Sequence, residues 1–280
     1  MEKDYLAAVD AAYDSSRPEE LESELTAVLD ECRSDLGETS REYIAVLSEL
    51  AAYYRGQMNL EKSRELFRRA VALGRDVFGE DSPDFATLRV NLSGTLRLTK
   101  EFDEAERELL EAISIYDQTL PPAHALTLAA WNNLSLIQMD QGLTGDALQI
   151  QERLLHTLED APDLREELAT TLINIGSLQL QEKNYEEAKH ALSDAIRIYD
   201  EELSRDTPHY FSAWNALGIA EISSGDPAAA VNSFRRALDS AEALFGPDHP
   251  QTASIRNSLE FAENIRRKTG GTEEDTHERS

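Results

Sequence analysis

Residues 214–237 read WNALGIAEISSGDPAAAVNSFRRA, and the same pattern returns along the chain at steps of 41 or 42 residues. The residue aligned with Ala230 falls at Ser63, Ala105, Ala147, Ala188 and Ala230, separated by 42, 42, 41 and 42 positions. Four residues later stands Phe67, Leu109, Gln151, Leu192 or Phe234, and three after that Ala70, Ala112, Leu154, Ala195 or Ala237. Twelve residues before the Ala230 set lie Ala51, Ser93, Ser135, Gly176 and Gly218, each preceded by Leu50, Leu92, Leu134, Ile175 or Leu217. A small residue beside a large apolar one on a first helix, facing a small one on a second, lets two antiparallel helices interlock closely. The unit is therefore a helical hairpin, and self-similarity at this period is the signature of a stacked array that works through the surface it builds.

At these positions the sequence resembles the tetratricopeptide repeat, whose unit is helix, turn, helix with small and large packing residues in this order. The unit here is longer, and linkers such as FGEDSPDFAT (78–87) and FGPDHPQTAS (245–254), with an Asn and a Leu following as in RVNL (89–92) and WNNL (131–134), are similar to the kinesin-light-chain type. The resemblance covers roughly residues 40–260. It implies an all-α fold, a right-handed α-solenoid of tandem helix-turn-helix repeats. Helical arrays of this kind serve unrelated tasks, so the fold alone names no role.

The expected organisation is a degenerate N-terminal hairpin over 1–39, five hairpins over 40–250, a capping helix over 251–268 and a disordered tail over 269–280. Leu21, Leu25 and Val28 fall one 42-residue step before Ser63, Phe67 and Ala70, which places the first, imperfect copy. Its second helix is expected to start at Pro18, with Glu19 and Glu20 meeting the exposed amides of the first turn. Asp81-Ser82-Pro83, Asp206-Thr207-Pro208, Asp226-Pro227 and Asp248-His249-Pro250 each set a capping residue beside a proline, a helix-start signal. After Pro250 an apolar stripe through Ile255, Leu259, Ala262 and Ile265 ends in Arg266, Arg267 and Lys268, which suit a helix C-terminus. TGGTEEDTHERS has no large apolar side chain with which to offset the entropy of ordering.

Composition narrows the function. The chain of 280 residues carries 54 acidic against 27 basic side chains, a net charge of −27. Such a charge repels phosphates and anionic headgroups, so neither nucleic acid nor membrane is expected as a partner. Residues 1–40 hold 12 acids and 3 bases, whereas 41–82 hold 7 of each, so the N-terminal part is an acidic knob. No apolar run approaches a membrane span and no leader pattern is visible, which leads to the expectation of a soluble, cytoplasmic protein. The single cysteine, Cys32, lies on an apolar face with Leu25, Val28, Leu29 and Leu36 and reads as a buried thiol. There is no HExxH, no glycine-rich phosphate loop, no paired-cysteine motif and no GxSxG elbow, so no enzyme, metal or cofactor is expected. His124 and His249, at equivalent linker positions, read as capping residues, and Trp131 and Trp214 as packing aromatics.

The resemblance also implies that the first helix of each hairpin lines a concave face. Mapping its exposed positions onto this chain selects Ser48, Glu49, Ala52 and Arg55; Val90, Asn91, Gly94 and Arg97; Asn132, Asn133, Leu136 and Met139. The fourth repeat adds Ile173, Asn174, Ser177 and Leu180, and the fifth Asn215, Ile219 and Ile222. Glu49 is the only carboxylate among these nineteen, which predicts a nearly neutral groove inside an acidic shell.

Asn91, Asn133 and Asn174 recur at one offset, with Asn132 and Asn215 one position earlier. A side-chain amide offers one donor group and one acceptor, as a peptide unit does, so a ladder of asparagines can read an extended backbone. Helix-interior asparagine is locally unfavourable by roughly 0.5 kcal/mol, so its recurrence calls for a cause, either ligand binding or bonds to a neighbouring helix. Asparagines on this helix contact ligand backbone in related arrays, which is what the resemblance implies here. Arg55 and Arg97, 42 apart, are candidates to grip a carboxylate. The lysines that chaperone-tail binders carry are missing at Ala45, Thr87 and Ala129. The function expected is a non-enzymatic module holding a protein or peptide segment, with Leu136, Met139, Ile173, Leu180, Ile219 and Ile222 as shallow apolar pockets. Alternatives are a scaffold, including a homo-oligomer, working through its outer faces, or a peptide-sensing regulator acting on a protein target.

Overall fold

A computed structural model describes residues 4–277 apart from 16, 18, 19 and 160, with the side chains of 269–277 left out. Among the described residues the chain is all helix: α1 (Tyr5–Ser15), α2 (Leu21–Leu36), α3 (Arg41–Gly56), α4 (Leu60–Phe78), α5 (Pro83–Leu98), α6 (Phe102–Thr119), α7 (Ala125–Asp140), α8 (Thr144–Glu159), α9 (Arg165–Gln181), α10 (Tyr185–Glu202), α11 (Pro208–Ser223), α12 (Pro227–Phe245) and α13 (Pro250–His277). They gather into two units, residues 1–141 and 142–280. Pro18 and Glu19, expected to open α2, lie outside the described residues, and the helix itself begins at Leu21.

In the N-terminal unit α1 packs on α2, α3 on α4 and α5 on α6, and each second helix touches the first helix of the next hairpin. The C-terminal unit repeats this with α9 on α10, α11 on α12 and α12 on α13. The repeat positions are where the helices meet: Ser63, Ala105, Ala147, Ala188 and Ala230 are fully buried, as are Phe67, Leu109 and Leu192. Gly176 and Gly218 show why a small residue is needed. A Cβ on Gly176 would lie 2.5 Å from Leu192 Cγ, and one on Gly218 2.8 Å from the Phe234 ring.

The starts of the helices follow the capping signals. The side chains of Ser40, Ser82, Thr207 and Asp226 accept from the backbone N–H three residues on, and the last three precede Pro83, Pro208 and Pro227. His124 Nδ1 accepts from Leu126 N–H and His249 Nδ1 from Gln251 N–H, so both histidines act at helix starts. Cys32 is buried, and burial pushes its thiol pKa up.

The turn inside each hairpin obeys a rule the repeat alignment alone does not show. Met58, Lys100, Gly142, Lys183 and Gly225, spaced 42, 42, 41 and 42 apart, all take positive φ, between 57° and 90°. The next residue returns an N–H to the first helix, as in Asn59 to Tyr54, Glu101 to Leu96, Asn184 to Gln179 and Asp226 to Glu221. This closes the helix with a left-handed cap and satisfies an end carbonyl. Only glycine takes that conformation without cost, yet three of the five are side-chain residues. At the other end of the chain α13 runs to His277, past the stop expected at 268 and into the segment expected to be a disordered tail. Once docked on α12 the helix is nucleated, and each further residue adds a hydrogen bond. Residues 278–280 lie outside the described residues.

Candidate functional site

First helices of successive hairpins touch each other in both units: α1 with α3, α3 with α5 and α5 with α7 in one, α9 with α11 in the other. Each unit therefore has a face made of first helices, and the mapped residues lie on these helices.

In the N-terminal unit that face contains a hollow of about 400 Å³ between α1, α3 and α5. Its floor is aliphatic, with Ile44, Ala45 and Leu88, and Leu6 walls one side. Ser48 and Asn91 bring polar groups to it; the Ser48 hydroxyl donates to the Ile44 carbonyl at 3.0 Å. The Asn91 side-chain amide makes no hydrogen bond among the described residues, and the residue is half-buried. Glu49 lines the hollow too, and burial, reinforced by the nearby Asp10 carboxylate, holds its pKa above the ordinary carboxylate value.

The hollow is more acidic than the nineteen mapped positions predict. Glu42 and Asp84, from the first turns of α3 and α5, also line it, against Arg41 as the one cation there. Acidic residues belong in a first turn because they meet the positive end of the helix, and these two turns open into the hollow. Arg41 Nη1 stands 3.6 Å from Asp84 Oδ2 and its guanidinium lies 5.1 Å over the Phe78 ring.

The two arginines expected to grip a ligand carboxylate are held within the unit. Arg55 donates to the Asn91 carbonyl oxygen at 3.1 Å and sits 5.4 Å over the Phe67 ring. Burial lowers its pKa, an effect the Glu49 charge opposes. Gly94 makes the room: a Cβ there would lie 3.1 Å from Arg55 Nη1. Arg97 donates to Asp140 at 2.7 Å. Asn132, Asn133, Leu136 and Met139 are half-buried on α7. Asn132 takes part in an interaction within the chain, whereas the Asn133 amide makes none among the described residues.

The face of the C-terminal unit is more apolar. Ile219 is exposed, while Leu180, Ile222, Asn174 and Asn215 are half-buried. Ile173, expected as a shallow pocket, is instead core: Thr171, Leu172 and Ile173 are all buried because α9 is covered by α8, α10 and α11. Asn174 takes part in an interaction within the chain; the Asn215 amide makes none among the described residues. On another side of this unit, a hollow of about 530 Å³ lies between α8, α9 and α10, over Leu168, Leu172 and Ile198. Its residues fall outside the first-helix mapping, and a short apolar stretch facing a neighbouring second helix looks in sequence like ordinary core.

Tandem helical hairpins stacked through small-residue contacts, with half-buried polar side chains on first helices, define a helical-repeat interaction module. Family models described as tetratricopeptide repeat match residues 42–118, 169–202 and 212–251, together more than half of the chain. The chain belongs to the tetratricopeptide-repeat family. No curated protein matches it by sequence. Among solved structures, that of a Podosopora anserina kinesin light chain with nearly identical TPR-like repeats is 18% identical, with a TM-score of 0.62 over 74% of this chain and 97% of that one. BtubC (BKLC) from P. vanneervenii is 17% identical, with a TM-score of 0.65 over 89% and 95%. The apo form of RapI is 17% identical, with a TM-score of 0.64 over 79% and 84%. At these identities the likeness is one of fold. The family is one of protein-interaction modules. No helix among the described residues is long and apolar enough to cross a membrane.

Proposed function

We propose that the first-helix face of each unit binds an extended segment of a partner protein, reading its backbone through side-chain amides. The observation that supports this most directly is that Asn91, Asn133 and Asn215, on three different first helices, have side-chain amides without a hydrogen-bond partner among the described residues. A half-buried amide with no partner in the chain can exchange its contacts with water for a peptide unit, a hydrogen bond worth a net of about 1 kcal/mol. Aliphatic contacts add to this from Leu136 and Met139 in one unit and from Leu180, Ile219 and Ile222 in the other. Asn132 and Asn174 already take part in interactions within the chain. Arg55 and Arg97, bonded to Asn91 and Asp140, act as supports for the face.

The test is an array of short unstructured peptides probed with wild type and with Asn91→Ala/Asn133→Ala/Asn215→Ala. The triple variant is expected to keep its helical circular dichroism and lose about tenfold or more in retention. Unchanged retention removes the amides from the mechanism, and retention by neither protein favours a scaffold that works through other faces.

A further inference from the structure

The hollow between α1, α3 and α5 has a more particular chemistry than the rest of the face. Its floor, Ile44, Ala45 and Leu88, matches a run of methylenes. At its edge stand three carboxylates, Glu42, Glu49 and Asp84, with Arg41 as the one cation. Arg41 is spoken for by Asp84 and by Phe78, whereas neither the Glu42 nor the Glu49 carboxylate has an ion-pair or hydrogen-bond partner among the described residues. Arg55, whose field reaches Glu49, makes no ion pair with it among the described residues: its Nη1 donates to the Asn91 carbonyl and its face lies over Phe67. Asp10 adds further negative charge beside Glu49. The side chains whose structure fits such a place carry a long aliphatic stem and a positive head, because the stem buries along apolar surface while the head reaches polar groups at the rim.

We propose that this hollow is a subsite for a lysine or arginine side chain of the partner segment. This rests on the reading that the first-helix face binds an extended segment, and it adds which residue that segment must carry. The stem lies over Ile44 and Leu88, and the cation reaches the rim where Glu42 and Glu49 stand. The adjacent Asn91 amide takes the peptide unit of the same residue, so charge and backbone are read at one place. The Asp84 carboxylate stays with Arg41 and closes the end of the hollow.

The experiment measures affinity for synthetic unstructured peptides of one alanine, leucine and serine background that differ in a single central residue: lysine, arginine, glutamine or glutamate. Wild type is expected to hold the lysine and arginine peptides about tenfold more tightly than the glutamine peptide, and the glutamate peptide least. In Glu42→Gln/Glu49→Gln that preference collapses while the glutamine peptide binds as before. A control, Glu65→Gln/Asp76→Asn on the exposed side of α4, removes as much charge elsewhere and is expected to retain the preference, which separates a subsite from the general attraction of an acidic protein. Equal loss of preference in both variants overturns the subsite, as does equal binding of lysine and glutamine peptides by wild type. In the second case peptide binding itself survives; if no peptide of any charge binds, the extended-segment reading falls as well.

Discussion

The two units use one packing frame and clothe it differently. In the N-terminal unit the helices are laced by charge: Arg64 with Glu101, Arg68 with Glu104, Arg97 with Asp140, and Arg89 with both Glu108 and Glu111 at 2.5 Å. Its first helices carry Ala51 and Ser93 where they meet the second. In the C-terminal unit those positions are Gly176 and Gly218, the helices close to van der Waals limits, and aromatic rings meet edge to face, Tyr199 with Tyr210 and Phe211 with Phe245. The exposed faces follow suit, acidic and amide-bearing in the first unit, more aliphatic in the second. Positions that face a neighbouring helix are held to a narrow set of volumes, whereas the rest of each repeat is free to differ.

The largest effect that would break this contrast is expected at Arg89. Its side chain is 9% exposed against Glu108 at 14%, so Arg89→Ala strands a nearly buried carboxylate and is predicted to destabilise by about 3 kcal/mol in urea unfolding. Arg89→Ala/Glu108→Ala, which removes both charges, should recover part of that loss. If the single and double variants are equally stable, the charge lacing contributes little to the unit.

Next comes the close approach in the other unit. Gly176→Ala places a Cβ 2.5 Å from Leu192 Cγ and is predicted to cost about 2 kcal/mol, seen as faster amide exchange across α9 and α10. Ala51→Gly at the matching place in the first unit should cost only about 1 kcal/mol, through backbone entropy. A neutral Gly176→Ala would mean that the α9–α10 contact has room to spare.

The smallest effect concerns acid. Thr99, then Arg64, holds the Glu101 carboxyl below the ordinary carboxylate range, and in the second unit Arg165 does the same for Glu202. A carboxyl depressed in the folded state contributes stability that is present above its unfolded pKa and lost as pH falls through the folded one. Stability of both units should therefore decline as pH falls through about 4.5, where an unperturbed glutamate is half protonated. Glu101→Gln is expected to flatten that decline in the first unit and leave the second unchanged.

Much of the fold was legible because repetition supplies several readings of one pattern. Hairpin boundaries, caps at Ser82, Thr207 and Asp226, and the buried sets around Ser63 and Ala230 all follow from spacing and residue type. The left-handed turn residue was not, since Met58, Lys100 and Lys183 give no sign of the conformation that Gly142 and Gly225 suggest. The candidate site was half legible. Spacing brought Asn91, Asn133 and Asn215 onto first helices, but it could not show that Arg55 and Arg97 are used internally, that Ile173 is buried, or that the first turns of α3 and α5 bring Glu42 and Asp84 to the same hollow as Asn91.

The amino-acid sequence by itself determined the hairpin, its period and which residues interlock, because those depend on helical periodicity and side-chain volume, both local properties. Only the tertiary structure decided which amides and carboxylates are left without partners. That depends on the reach of long side chains between helices, Arg55 across to Asn91 and Arg97 across to Asp140, and no spacing along a single helix encodes it.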